Sequence, residues 1–236
     1  MWIILGCAVA CVLAIWHLHV TVPHLVEPSV EEVGDAVLAV KPRYDSLATS
    51  RRTVIVAMTA IACGAASTLA PPWAWGMWWV WSGSVTTLVA VDHATTFLPL
   101  PLWRRCIVEA GLALVAGLVA TRPPPGRWLV TCAVMSAAST GFFWLMWRLS
   151  SSLGYGDVRL AAGTGFLAAT TAVPDSHPDF IGTGMTALLC VTVLGAVIAM
   201  TVTVIRKYRP SPWGSVFAYG PALWAGPWMT LAISLG

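Results

Sequence analysis

Charge is what this chain has least of. Asp, Glu, Lys and Arg make up only 10% of its 236 residues, against about 25% in a soluble domain. It therefore lacks the polar surface that a water-filled environment demands. It has little polar sequence in one place either: the longest such stretch, 23–52, is too short to bury a core of its own. The six cysteines (Cys7, Cys11, Cys63, Cys106, Cys132, Cys190) are scattered singly, and no Cys-x-x-Cys pair occurs. That argues against a zinc knuckle or a disulfide framework. A net charge of +3 is too small to suggest nucleic acid as a partner. The first apolar segment has no basic residues before it and no small-x-small site after it, so it reads as a retained anchor rather than a removed signal peptide.

What remains is apolar: 58% of residues are hydrophobic and the mean hydropathy is +0.78. Such a composition points to an all-α, polytopic membrane bundle, with residues 1–236 forming one domain. Eight apolar stretches predict the spans, at 2–22, 53–70, 73–91, 106–120, 128–149, 158–173, 183–205 and 214–235. Pro71 and Pro72 alone separate the second and third. Trp73, Trp75, Trp78, Trp79 and Trp81 crowd the start of the third, and tryptophan favours the headgroup level, so these rings are expected at an interface.

Lysine and arginine orient the bundle, because cytoplasmic loops are enriched in them. With both termini outside, Lys41, Arg43, Arg51, Arg52, Arg104, Arg105, Arg148, Arg159, Arg206, Lys207 and Arg209 fall inside, and only Arg122 and Arg127 fall outside. The stretch 23–52 becomes a cytoplasmic loop, with a short amphipathic piece expected between Val30 and Val40. The row at 206–209 serves as a topology determinant and a contact for lipid headgroups.

This orientation sets two aspartates at one membrane face. Asp92 ends the third span and Asp157 precedes the sixth, and an acid at such a position is a functional hypothesis by default. Two carboxylates that meet can share a proton and activate a water, as in aspartic proteases. Gly154, Tyr155 and Gly156 before Asp157 allow a sharp turn or a close approach. Pro99 and Pro101, after Asp92, stop or kink the chain. Ala161, Ala162, Gly163 and Gly165 would let the sixth helix pack closely, bringing it to the third. Arg159 either pairs with a carboxylate or faces lipid headgroups. His93 adjoins Asp92 but points elsewhere on a helix. His17, His19 and His24 do not share one helix face and read as interfacial, so no metal site is expected.

The segment Leu153 to Leu167, with Gly-x-Gly-Asp, a basic residue, Leu and a small-residue helix, resembles the signature of type IV prepilin peptidases. Asp92-His-Ala-Thr-Thr-Phe-Leu-Pro99 is similar to that family's first aspartate motif, and Phe217-Ala-Tyr-Gly-Pro-Ala-Leu223 to the stretch opening its last helix. The likeness covers about 75–236. It implies a membrane aspartic endopeptidase of the bacterial cytoplasmic membrane, with Asp92 and Asp157 as the catalytic pair. The implied substrate is a prepilin-like protein whose short basic leader is cut at the cytoplasmic face. Gly154, Tyr155, Gly156, Pro99 and Arg159 would shape the site, and Glu109 is a lesser candidate for lining it or meeting the leader. Larger members insert a four-cysteine cytoplasmic domain where this chain has only 23–52. Leu100 stands where they often carry Asn or Asp. The resemblance is therefore to a compact peptidase form, for which no cofactor is expected. The alternative from the residues themselves is a small proton- or cation-coupled transporter that uses the same aspartates.

Overall fold

The computed structural model describes residues 1–29, 31, 35–121, 126–149, 153–171, 180–208 and 218–234. Among these residues there is no strand, and eight helical rods follow one another: α1 (Trp2–His24), α2 (Ser50–Leu69), α3 (72–95), α4 (Leu100–Ala120), α5 (Gly126–Leu149), α6 (Tyr155–Thr170), α7 (Phe180–Tyr208) and α8 (Gly220–Ile233). Among the described residues three segments, Trp2–His24, Ser50–Leu69 and Trp128–Leu149, are long and apolar enough to cross a membrane. The sixteen residues of α6 rise only about 24 Å at ~1.5 Å each, less than a bilayer core of about 30 Å.

Local chemistry sets most of the ends. Thr49 accepts the Arg52 amide at 3.3 Å and starts α2. Proline opens α3 at Pro72, where its fixed φ suits a first turn. Pro99 stands just outside α4, and Pro101 lies in its first turn, so the two prolines begin a helix here rather than breaking one. The expected irregular stretch after Asp92 is consequently short, 96–99. Two helices also overrun their expected limits toward the acids. Helix α3 continues to Thr95 and α6 begins at Tyr155, which puts Asp92 in a last turn and Asp157 in a first. Of the amphipathic piece expected between Val30 and Val40, Asp35–Leu38 is helical, and residues 30 and 32–34 lie outside the described set. Of the eighth span, 214–217 and 235 lie outside it too.

Helices α1 and α2 pack side by side at Gly6 and Gly64, where a methyl on Gly64 would come within 2.6 Å of the Gly6 carbonyl oxygen. Helix α3 lies against α1 and carries α4 on its first half. On the other side α5 packs along α6, and α7 joins α6 and α8. Helix α8 touches both α6 and the last part of α3, which makes it the link between the two halves.

Trp73, Trp78 and Trp81 are buried within the protein, and the indole N–H groups of Trp78 and Trp81 find partners across helices. Trp78 Nε1 donates to Thr170 Oγ1 at 3.0 Å. Trp81 and Trp224 exchange indole-to-carbonyl bonds at 3.0 and 3.2 Å, and Trp78 meets Trp228 edge-on at 4.6 Å. A large ring with one polar atom suits a core that can satisfy that atom. The rings thus hold α3 to α6 and α8. The small residues of α6 serve two neighbours: Gly163 lies under Trp81 of α3, while Gly165 admits the backbone of α5 at Met135.

Candidate functional site

Asp92 and Asp157, 65 positions apart, come together where α3 ends and α6 and α8 begin. Both are buried, at 3% and 5% exposure, and Asp157 lies near enough to act on Asp92 electrostatically. Each carboxylate uses its Oδ2 in the same way. Asp92 Oδ2 accepts the Gly220 N–H at 3.1 Å, and Asp157 Oδ2 accepts the Gly154 N–H at 3.1 Å. Asp157 Oδ1 is buried and makes no hydrogen bond within the protein. Helix N-termini favour negative charge, and here the N-termini of α8 and α6 each face one of the two acids.

Glycine matters here for access rather than for unusual φ. A Cβ on Gly220 would come within 2.5 Å of Asp92 Oδ2, so any side chain there would displace the carboxylate. A Cβ on Gly156 would meet Leu98 Cβ at 2.6 Å, and this contact presses the loop after Asp92 onto the turn before Asp157. Gly154 has φ −81° and would place a Cβ at an ordinary 3.5 Å from Asp157 Oδ2; nothing steric demands glycine at that position.

Thr96 makes the loop tight. It is the one non-glycine residue with positive φ, 57°, among the described residues, and its N–H bonds the Asp92 carbonyl at 2.6 Å. Thr95 Oγ1 donates to the Val91 carbonyl at 2.8 Å, and the same hydroxyl accepts the Phe97 N–H at 3.3 Å. The chain thereby reverses within a few residues and delivers Leu98 and half-buried Pro99 to the start of α4.

Tyr219 aims the α8 terminus. Its hydroxyl donates to the Val191 carbonyl of α7 at 3.2 Å, and its ring meets Phe143 of α5 at 5.7 Å. The Gly220 N–H is thus held between three helices. Gly220 was legible only as part of the aromatic-Gly-Pro stretch, and Thr96 carried no signal.

The remaining candidates lie farther from the chemistry. Tyr155 is exposed and stacks edge-on with Trp147 at 5.0 Å. Arg159 sits with its guanidinium 4.8 Å from the Tyr155 ring and makes no ion pair with a carboxylate among the described residues. His93 is exposed. Glu109 is not at the aspartate pair; it binds His17 and Ser84. His17, at 1% exposure, is buried within the protein. Among the described residues no group of three metal-ligating side chains converges.

The polar loop contributes a cover. Lys41 pairs with Glu27, whose other oxygen accepts the Tyr44 N–H at 2.6 Å. The Lys41 ammonium lies 3.7 Å from the centre of the Tyr44 ring. Burial holds the Tyr44 phenol well above the ordinary tyrosine range, and the charges of Glu27 and then Asp92 add to the effect. Tyr44 and Leu47 are buried in the bundle, so the loop borrows the core it could not build alone.

The fold and site define a helical protein with helices long and apolar enough to cross a membrane and a buried pair of carboxylates. Comparison with known protein families, with characterised proteins and with solved structures finds no match to this chain.

Proposed function

We propose that this protein is a membrane aspartic endopeptidase that cuts prepilin-like substrates just after a short basic leader. One observation carries the reading: two acids from distant parts of the chain are buried together, each bound through one oxygen to a glycine N–H at a helix start. Such a pair holds a single proton more readily than none or two. The ionised member removes a proton from water while the protonated member polarises the scissile carbonyl, and the pair titrates as a unit. The glycine N–H bonds fix each Oδ2 and leave the opposite oxygens for water and peptide. The basic residues near the inner ends of the helices orient the site toward the cytoplasm of a bacterial membrane, where a basic leader remains.

The test is cleavage. Co-expression with a prepilin-like substrate produces a smaller product on a gel with the wild type, and none with Asp92→Asn or Asp157→Asn. Cleavage that survives both substitutions sinks the reading. The unpartnered Asp157 Oδ1 also suits a proton- or cation-coupled transporter; that reading predicts ion-dependent flux in proteoliposomes, abolished by the same variants, with no cleavage.

A further inference from the structure

A second polar cluster stands apart from the aspartates, at the meeting of α1, α3 and α4, with His17, Thr21 and Ser84 buried, Glu109 half-buried and Arg105 exposed. His17 Nε2 contacts Glu109 Oε1 at 2.8 Å, and Ser84 Oγ donates to Glu109 Oε2 at 2.5 Å. His17 Nδ1 meets Thr21 Oγ1 at 3.1 Å, and Arg105 donates to that same hydroxyl at 3.2 Å. His17 and Thr21 are one turn apart on α1, as are Arg105 and Glu109 on α4, so the four close a ring between two helices. Ser84 ties the ring to α3. Both partner segments are π-helical, His17–Thr21 on α1 and Trp81–Val85 on α3, a rare geometry that is frequent at functional sites.

An ionisable group buried among apolar helices, as His17 is, is costly, and the proposed chemistry leaves this cluster unused. Its position suggests what it does. The outer half of α4 rests on α3 through small residues, with Gly76 against Ala113 and Gly117 against Trp73. Apolar contact is non-directional, so those smooth faces do not by themselves choose an axial register. Hydrogen bonds do. One residue of slip moves a helix about 1.5 Å, and displacements of about 1 Å at reacting groups can cost ~10²-fold in rate.

The start of α4 is also the far end of the Thr96 turn. A threonine in the left-handed region persists only when its surroundings over-determine it. The flanks of that turn are α3, which carries Asp92, and α4, which carries Glu109 and Arg105. We infer that Glu109 and His17 are positioning residues: their bonds set the register of α4, hold the strained turn, and so keep Leu98 against Gly156 and the two aspartates together. What the aligned pair then accomplishes rests on the peptidase reading; the alignment itself does not.

The experiment therefore has two arms. Backbone hydrogen exchange is compared in nanodiscs for wild type, Glu109→Ala, Glu109→Gln and Ser84→Ala. The expected result is exchange about 10-fold or more faster in Glu109→Ala at 96–99 and 154–157, with α5 and α7 unchanged, since local opening need not be global. Glu109→Gln, which still accepts from Ser84, recovers most of the protection. Where Glu109→Ala does not fold, Ser84→Ala removes only one bond and gives the smaller shift in the same segments. In the second arm, prepilin cleavage by Glu109→Ala loses kcat by about 10- to 100-fold with KM within about 2-fold. Wild-type exchange at 96–99 and 154–157 in Ser84→Ala and in any folded Glu109→Ala overturns the inference, whatever happens near His17. So does a raised KM at unchanged kcat. Absence of cleavage in the wild type itself defeats the peptidase reading and leaves the exchange arm to decide the role of the clamp.

Discussion

Gly156 lies against Leu98 so closely that one added methyl would stand 2.6 Å from the leucine Cβ. The contact joins the loop that follows one aspartate to the turn that precedes the other, and it gives the Gly-x-Gly spacing unequal halves. Gly156→Ala is expected to cost about 1–3 kcal/mol as overpacking and to reduce activity by separating the acids. Gly154→Ala, with ordinary room around it, should cost less than about 1 kcal/mol, as a change of helix-capping residue does. Melting temperatures of the two variants in detergent check this; equal losses would contradict the packing.

Gly220→Ala should act on chemistry more than on stability. The new methyl takes the space of Asp92 Oδ2 and swings the carboxylate from its N–H partner. Cleavage is expected to fall about 100-fold, the order of loss for a displacement near 1 Å at a reacting group. A variant that cleaves at the wild-type rate would show that the Gly220 bond does not position Asp92.

The exchanged indole bonds of Trp81 and Trp224 hold α3 to α8. Trp81→Phe keeps much of the ring but removes the indole donor, leaving the Trp224 carbonyl with its bond inside α8 alone. About 0.5–1.5 kcal/mol is expected from the loss of one hydrogen bond. The same change should loosen the Gly220–Asp92 contact, which depends on the same pair of helices, and faster exchange at the Gly220 amide would report it.

The buried Tyr44 phenol makes the cover of the site sensitive to alkali. An unfolded tyrosine ionises near pH 10, whereas burial and the Glu27 and Asp92 charges hold this one protonated to higher pH. Above about pH 10 the unfolded chain therefore binds fewer protons than the native one, and stability falls as pH rises. Alkaline unfolding followed by tryptophan fluorescence should move to higher pH in Tyr44→Phe. An unchanged or lower midpoint would contradict the burial of the phenol.

Both aspartates were legible because charge is so rare here that an acid beside a helix end stands out against the apolar background. The helical rods were legible for the related reason that apolar length is a one-dimensional property. Their ends were less so. Pro99 and Pro101 break a helix or begin one depending on which side the chain arrives from, and only the Thr96 turn decides that. The burial of Trp78 and Trp81 was not legible, because the carbonyl and hydroxyl partners that make it affordable lie on helices more than 80 residues away.

Composition and spacing alone determined that this chain is a bundle of apolar helices and that its scarce acids are its most informative residues, since both follow from how little charge there is to place. Tertiary structure decided the rest: that Gly220 serves Asp92, that Gly156 and not Gly154 is the tight contact, and that His17 and Glu109 pair inside the bundle. Hydrogen bonds and close approaches depend on direction and on fractions of an ångström between segments far apart in the chain, and no local pattern of residues encodes them.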